Sequence, residues 1–249
     1  MAIRNVSLDG VATIEIARPE KKNALTQAMY RSMTEAIVAA RADQNVRALL
    51  ITGQPGIFTA GNDLEDFLRE PAIGADSPVA GFMQALLGCE KPVVAAVTGA
   101  AVGIGATMLL HCDLVYLSDQ AQLVLPFVNL GLVPEFASSL LLPRLMGHAR
   151  AAQALLLGEP IGAADAVALG LATAILPSND VLAHARRMAK RFNTLSPDAV
   201  RDTKRLMRSG SRGEIERSIE EEAAQFTARL RSPEAREALQ AFLQKRPRG

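Results

Sequence analysis

The chain has 249 residues, of which 49% are hydrophobic and 21% are charged, and its formal net charge is +1. This length suits one large domain or a domain with a small appendage, and the composition is typical of globular proteins. The small net charge excludes a global electrostatic attraction to nucleic acid or to a membrane surface. The two cysteines, Cys89 and Cys112, are too few and too widely spaced for a disulfide framework or a zinc site, so we expect no bound metal.

The first half of the chain alternates between predicted strands and predicted helices. Apolar runs, alternating or continuous, predict strands at 6–17, 46–53, 91–99, 113–119 and 121–127. The first of these is a hairpin, because Asp9-Gly10 is a strong turn signal. Apolar residues at helical spacing predict helices at 23–43, 63–70 and 79–90.

Two segments of this half are predicted loops that follow a buried strand and precede a helix, namely 54–63 and the glycine-rich segment 98–105. The connector 71–78, PAIGADSP, is rich in helix-breaking residues. No stretch approaches the roughly 18 apolar residues of a membrane-spanning helix. The N-terminus has no secretory signal pattern, and the last residues do not form a peroxisomal S-K-L address. We therefore expect a cytoplasmic protein without a membrane partner.

The second half is mainly helical. Helices are predicted at 134–146, 149–157, 163–169 and 178–193, with a strand at 171–177, and the last 50 or so residues are charged amphipathic helices. Strands and helices that alternate early, followed by helices alone, indicate an α/β fold with a helical C-terminal part. We place the core at residues 1–195 and the helical region at 196–249.

The segment 97–105, VTGAAVGIG, matches the glycine pattern of short-chain dehydrogenases and on its own predicts a nicotinamide cofactor. A dinucleotide-binding fold, however, carries this loop after its first strand, and here at least three strands come before it. Neither Tyr30 nor Tyr116 has the lysine four positions later that these enzymes need. We therefore interpret the glycines as exposing backbone N–H groups at a helix start, where they suit a developing oxyanion. The segment 58–64, FTAGNDL, is the candidate for a second donor.

Five segments, in this order, resemble the crotonase (enoyl-CoA hydratase/isomerase) superfamily: ARPEKKNALT, IFTAGNDLEDF, KPVVAAVTGAAVGIGATMLLHCDLVY, LPFVNLGLVPEFASSLLLPRLMG and ALLLGEPIGAADAVALGLA. The resemblance implies a spiral of ββα units followed by a helical trimerisation region. It also implies an acyl-CoA thioester as substrate, no separate cofactor, and a homotrimer or a hexamer built from two trimers. In such a protein we expect the connector at 70–80 to shape the acyl pocket.

The same resemblance assigns roles to individual residues. The backbone N–H groups of Asn62 and Ile104 are the implied donors to the thioester enolate. The implied CoA-binding residues are Lys22, Leu25, Ala60, Gly61, Asp63, Leu64 and Gly103. For Asp63 the sequence favours a different role, at the N-terminus of a helix, where a carboxylate is stabilised by the helix dipole.

The acids of the chain point to one chemistry within this superfamily. Hydratases of the family carry two glutamates at positions that Thr107 and Phe127 occupy here, so hydration by paired carboxylates is not expected. Glu135, which follows Pro134 in GLVPEFASSL, matches the single glutamate of peroxisomal-type Δ3,Δ2-enoyl-CoA isomerases. Apolar neighbours predict a raised pKa for Glu135, whereas a helix that starts at Pro134 predicts a lowered one.

The resemblance therefore implies an enoyl-CoA isomerase of fatty acid metabolism that uses Glu135 and a backbone oxyanion hole. Two other functions stay open from the sequence. One is an enoyl-CoA hydratase, a lyase, with a non-standard acid–base pair. The other is an acyl-CoA-binding protein without catalytic activity.

Overall fold

The computed structural model describes residues 2–69, 74 and 76–245. Residues 70–73 and 75, which belong to the predicted connector, lie outside the described residues. The expectation that the connector shapes an acyl pocket therefore stays a prediction.

The described residues contain ten strands. They are β1 (Ile3–Leu8), β2 (Val11–Ile16), β3 (Ala48–Thr52), β4 (Gly56–Thr59), β5 (Val93–Val97), β6 (Gly99–Val102), β7 (Leu114–Ser118), β8 (Gln122–Val124), β9 (Ile161–Gly162) and β10 (Ala174–Leu176). Six of them form one sheet in the order β1-β2-β3-β5-β7-β10, and four form a second sheet in the order β4-β6-β8-β9. The pairs β1–β2 and β8–β9 are antiparallel and the other pairs are parallel.

Eleven α-helices lie within the described residues. They are α1 (Gln27–Ala42), α2 (Leu64–Arg69), α3 (Pro78–Leu87), α4 (Ile104–Thr107), α5 (Ser138–Met146), α6 (His148–Leu156), α7 (Ala163–Ala168), α8 (Val181–Lys190), α9 (Pro197–Ser209), α10 (Arg212–Leu230) and α11 (Pro233–Lys245). None of these helices is long and apolar enough to cross a membrane.

The predicted hairpin is confirmed, with Leu8 opposite Val11. Asp9 and Gly10 both have positive φ, 49° and 74°, as a tight type I′ turn requires. The central strands β3 and β5 are buried along their whole length and almost entirely apolar, because both faces of the large sheet are covered. In β3, Leu49 belongs to the main core, whereas its neighbour Leu50 packs in a second core that includes residues of α8.

Two predicted loops are partly wrong, since β4 lies within 54–63 and β6 within 98–105. Each of these strands has only four residues and begins with glycine, so neither has the longer apolar run of the predicted strands. They form because they pair with each other, with Gly56 opposite Gly99. The backbones approach so closely that a Cβ on Gly99 would lie 2.1 Å from the carbonyl oxygen of Gly56.

The helix predicted at 134–146 begins four residues later, at Ser138. Phe136 and Ala137 have φ values of 58° and 57°, in the left-handed region, which a right-handed helix excludes. Glu135 therefore lies in a turn before α5 and not in its first helical turn.

The C-terminal helices are confirmed, and charged groups anchor α9 to the core. The Lys204 ammonium lies 2.6 Å from one carboxylate oxygen of Asp113, and the Arg208 guanidinium lies 3.0 Å from the other. The division of the chain at residue 195 stays a prediction.

Candidate active site

The two glycine-containing segments lie side by side because β4 and β6 are parallel neighbours whose carboxyl ends meet at one edge of the small sheet. Gly61, with φ of +82°, packs against the chain after β6, and a Cβ there would lie 2.8 Å from the carbonyl oxygen of Val102. Gly105 is equally close to β4, because its Cβ would lie 2.4 Å from Cγ2 of Thr59. Glycine at these positions lets the two segments approach each other.

The first segment leaves one backbone donor unused. Leu25 forms a parallel bridge in which its N–H donates to Gly61 and its C=O accepts from Asp63, both at 2.8 Å. Asn62 lies between these two bonded residues, so its own N–H faces away from Leu25. Among the described residues this N–H has no backbone partner.

The second segment likewise leaves a backbone N–H without an intrahelical partner, at the start of α4. Gly103, with φ of 55°, donates its N–H to the carbonyl oxygen of Val124 at 2.9 Å. The next residue, Ile104, is the first of the helix, and the first N–H groups of a helix have no intrahelical partner. Its side chain is fully buried, which fixes the position of this N–H.

Tyr30 of α1 is hydrogen-bonded to Asn62 and interacts electrostatically with Glu135. Its hydroxyl donates to the side-chain oxygen of Asn62 at 2.5 Å, and its ring is buried against Phe82. Burial raises the pKa of the Tyr30 phenol well above its ordinary value, and the negative charge of Glu135 raises it further. The Glu135 carboxylate thus acts electrostatically on the residue that holds Asn62.

Glu135 is a buried acid that lacks a full set of hydrogen bonds. The residue is 8% exposed, and its Oε1 has no hydrogen-bond partner among the described residues. Burial raises the pKa of Glu135 to about 8, and the negative charge of Glu222 contributes to this increase. Of the two opposite expectations from the sequence, desolvation prevails, because Glu135 does not lie in the helix whose dipole would lower its pKa.

Glu222 of α10 reaches the residues that follow Glu135. Its carboxylate accepts hydrogen bonds from the N–H of Ala137 at 2.6 Å, the N–H of Ser139 at 2.9 Å and the Ser139 hydroxyl at 2.5 Å. The C=O of Glu135 accepts from the Ser138 hydroxyl at 2.7 Å. The main chain around Glu135 is therefore held in place while its side chain keeps an unpaired oxygen.

A family model described as "Enoyl-CoA hydratase/isomerase" matches residues 7–248. The chain belongs to this family. It is similar to enoyl-CoA delta isomerase 2 of Rattus norvegicus, with 34% identity over 96% of the chain. The chain spans 62% of the length of that curated relative. It is also similar to a probable enoyl-CoA hydratase of Rhodobacter capsulatus, with 34% identity over 98% of the chain and 96% of the relative.

The fold is that of solved members of the family. The structure of Pseudomonas aeruginosa OdaA superposes with a TM-score of 0.96 at 53% identity and covers 98% of this chain and 99% of its own. An enoyl-CoA hydratase/isomerase structure from Pseudoalteromonas atlantica gives a TM-score of 0.93 at 38% identity, covering 99% of this chain and 98% of its own. The predicted α/β crotonase fold is thus confirmed.

Most of the predicted CoA-binding residues lie around the Asn62 segment. Ala60 donates its N–H to the carbonyl oxygen of Lys22 at 3.0 Å, so these two residues are neighbours, and the Lys22 side chain is exposed. Leu25 and Leu64 are buried. Their contact with CoA stays a prediction.

Asp63 has the helix-terminal role that the sequence favoured. Its carboxylate accepts from the N–H groups of Glu65 and Asp66 at the start of α2 and forms an ion pair with Arg18 at 2.6 Å. Burial opposes its ionisation, but the hydrogen bond from Arg18 and those from the backbone outweigh it, and its pKa lies below the ordinary value.

The two positions where family hydratases carry acids are buried here without one, since Thr107 and Phe127 are 0% and 5% exposed. Among the described residues, no three His, Cys, Asp or Glu side chains are grouped to hold a metal ion. A cavity of about 480 Å³ lies elsewhere, between the end of α1 and the start of α9, and none of the site residues above lines it. Cavity size therefore does not locate this site.

The sequence reading did not find two residues of this arrangement, Tyr30 and Glu222. Nothing local marks Tyr30, whose role depends on α1 packing beside Asn62. Glu222 does carry a signal. It lies on the same helix face as Ile215, Ile219 and Phe226, so a glutamate interrupts an apolar stripe at helical spacing.

Proposed function

We propose that this protein is a Δ3,Δ2-enoyl-CoA isomerase that uses Glu135 as its only proton carrier and the backbone N–H groups of Asn62 and Ile104 as its oxyanion hole. The observation that carries the proposal is the buried Glu135 carboxyl group, with an unpaired oxygen and a pKa of about 8. Thr107 and Phe127 at the hydratase positions support a reaction that needs one acid.

In the first step, the Glu135 carboxylate takes a proton from C2 of a 3-enoyl-CoA. The electrons of the broken C–H bond delocalise over the double bond and the thioester carbonyl, which produces a dienolate with negative charge on oxygen. The N–H groups of Asn62 and Ile104 donate to that oxygen and stabilise the transition state more than the neutral substrate. Each such donor contributes roughly 10²–10³-fold in rate.

In the second step, the Glu135 carboxylic acid returns the proton to C4. The double bond then lies between C2 and C3, and the product is the 2-trans-enoyl thioester. No water is added and no cofactor is consumed. A pKa near 8 suits this shuttle, because a group that titrates near the working pH both accepts and releases a proton readily.

The substrate-binding part of the proposal follows the family motifs. In this proposal Lys22, whose side chain is exposed, binds CoA phosphates, and Gly61 and Gly103 let the thioester approach the backbone donors. Leu25, Leu64 and the chain at Asp63 border the same segment. We propose that the assembly is the homotrimer or hexamer that the family resemblance implies.

Hydration of 2-enoyl-CoA is the second candidate, because the Rhodobacter relative named a probable hydratase is as similar as the rat isomerase. A hydratase needs a second acid, and Glu222 is the acid whose charge acts on Glu135. Three of the roughly four acceptor sites of the Glu222 carboxylate are already occupied by Ala137 and Ser139, so it is less suited to activate water. This favours isomerisation.

An assay of the purified protein with each substrate tests the proposal. An isomerase increases the absorbance of the conjugated enoyl thioester when it is given 3-enoyl-CoA. A hydratase decreases that absorbance when it is given 2-enoyl-CoA. Binding of both substrates without either change would identify a non-catalytic acyl-CoA-binding protein and overturn the proposal.

A further inference from the structure

Glu222 has no role in the proton transfer described above, yet it is bonded to the chain next to the proposed base. The residue is 7% exposed and lies in the middle of α10. Its carboxylate accepts three hydrogen bonds, all from Ala137 and Ser139. The C-terminal helical region is thereby connected directly to the turn that carries Glu135.

That turn has an unfavourable backbone conformation that needs support. Phe136 and Ala137 are consecutive non-glycine residues in the left-handed region. This conformation is unfavourable for residues that carry a Cβ, and such residues persist where their surroundings hold them. His111 supports one side, since its ring stacks on Phe136 and its Nε2 bonds the Phe136 carbonyl oxygen at 2.8 Å. Glu222 supports the other side.

The negative charge of Glu222 also raises the pKa of Glu135. Burial raises the pKa of Glu222, while the hydrogen bonds from Ser139 and Ala137 oppose this rise because they favour the ionised carboxylate. Tyr30 of α1, which the charge of Glu135 affects, and His111, which contacts Phe136, are two further titratable groups at this place. Both are neutral near pH 7, because burial raises the pKa of Tyr30 and lowers that of His111 to about 4. Glu222 is therefore the group whose charge affects the proton affinity of Glu135.

We propose that Glu222 is a positioning residue for Glu135: it holds the left-handed Phe136–Ala137 turn through three hydrogen bonds and places a second negative charge beside the proposed base. It acts through the turn and does not touch the substrate. This role rests on the function proposed above, in which Glu135 carries the proton.

Two substitutions distinguish loss of the charge from loss of the whole carboxyl group. Glu222→Gln removes the charge and keeps one side-chain oxygen, which can accept from one of the two backbone donors, Ala137 or Ser139. We expect the rise of kcat/KM with pH to move to lower pH, with maximal kcat within about threefold of the wild type. Glu222→Ala removes both, and we expect kcat to fall by about 10- to 100-fold with little change in KM, because a base displaced by about 1 Å loses rate of this order. Glu221→Gln, an exposed neighbour on α10, is the matched control and should change neither quantity.

A measurement without turnover distinguishes this proposal from the proposed function. The Glu135 carboxyl is titrated by NMR in protein labelled with carboxyl-¹³C glutamate, and its signal is assigned by its absence in Glu135→Gln. A lower pKa of Glu135 in Glu222→Gln supports the proposal even if the wild type shows no isomerase activity. An unchanged Glu135 pKa together with unchanged kinetics in the folded Glu222→Gln protein overturns it, whether or not Glu222→Ala folds.

Discussion

The segments 61–63 and 135–137 both precede a helix and both carry a buried acid. They differ in which group is left for a ligand: a backbone N–H in the first and a side-chain oxygen in the second. In the first, the side chain of Asp63 is bonded to Arg18 and to the start of α2, while the N–H of Asn62 has no backbone partner among the described residues. In the second, the backbone is bonded through Ala137, and the side chain of Glu135 keeps an unpaired oxygen.

The difference shows that burial alone does not make an acid reactive. Asp63 and Glu135 are 7% and 8% exposed, yet the pKa of Asp63 is lowered and that of Glu135 is raised to about 8. Burial raises the pKa of Glu135, and the charge of Glu222 adds to this, whereas for Asp63 the effect of burial is outweighed by a cation and two N–H groups that stabilise the anion. A proton carrier needs the second environment, and a structural cap needs the first.

The largest expected effect comes from removing the reactive acid. Glu135→Gln preserves the size of the side chain but cannot exchange a proton with carbon, so we expect kcat for isomerisation to fall by about 10²–10⁴-fold with little change in KM. Steady-state kinetics with 3-enoyl-CoA measures this. Glu237→Gln, an exposed glutamate of α11, is the control. Turnover at the wild-type level in Glu135→Gln would remove Glu135 from the mechanism.

The second largest effect is expected when a backbone N–H donor of the proposed oxyanion hole is removed. Ile104→Pro removes one N–H donor at the first residue of α4, a position where proline is compatible with a helix, and we expect kcat to fall by about 10²–10³-fold. Ile104→Ala is the matched control, because it loses the buried side chain but keeps the N–H. Circular dichroism checks that both proteins fold. Equal activity of the two variants would show that the Ile104 N–H does not contribute to catalysis.

A smaller effect concerns stability against pH, where the two acids should behave in opposite ways. The raised pKa of Glu135 means that the unfolded chain releases this proton at lower pH than the folded protein. Its contribution to the free energy of unfolding is therefore complete below about pH 4.5 and is lost as the pH rises toward about 8. Asp63, with a lowered pKa, contributes stability above its ordinary value of 3.8, and this is lost as the pH falls below that value.

Urea unfolding of the wild type, Glu135→Gln and Asp63→Asn from pH 3 to pH 9 measures both contributions. We expect Glu135→Gln to become more stable relative to the wild type as the pH rises. We expect Asp63→Asn to be destabilised by about 1.5–3 kcal/mol at neutral pH, the value of a hydrogen bond to a charged group. Parallel curves for all three proteins would contradict the assignment of opposite environments.

The smallest expected effect comes from removing the Tyr30 hydroxyl, which donates a hydrogen bond to Asn62. Tyr30→Phe removes the hydroxyl that donates to Asn62 but keeps the ring packed on Phe82. We expect a loss of about 1 kcal/mol in the free energy of unfolding and a decrease of about two- to fivefold in kcat, as the Asn62 peptide becomes less well fixed. Tyr116→Phe, a second tyrosine outside this site, is the control. A Tyr30→Phe protein with wild-type kcat would show that the hydroxyl does not position the oxyanion donor.

Much of the architecture follows from local sequence. Apolar runs and helical spacing predict most strands and helices correctly, because covered sheets and amphipathic helices have periodic patterns. The motifs around Asn62, Ile104 and Glu135 indicated the family and its fold. The strands β4 and β6 were missed, because each has only four residues and begins with glycine, and because they are stabilised by pairing with each other.

The sequence by itself determined the order of the elements, the lack of acids at Thr107 and Phe127, and the identity of the single glutamate after Pro134. Only the tertiary structure decided the environment of that glutamate. The left-handed turn that keeps it out of α5, its burial, and the approach of Glu222 from 87 positions further along the chain all depend on packing between distant segments. The local sequence identifies the residue and its motif, whereas the pKa of its side chain depends on which charges and hydrogen-bond donors the fold places around it.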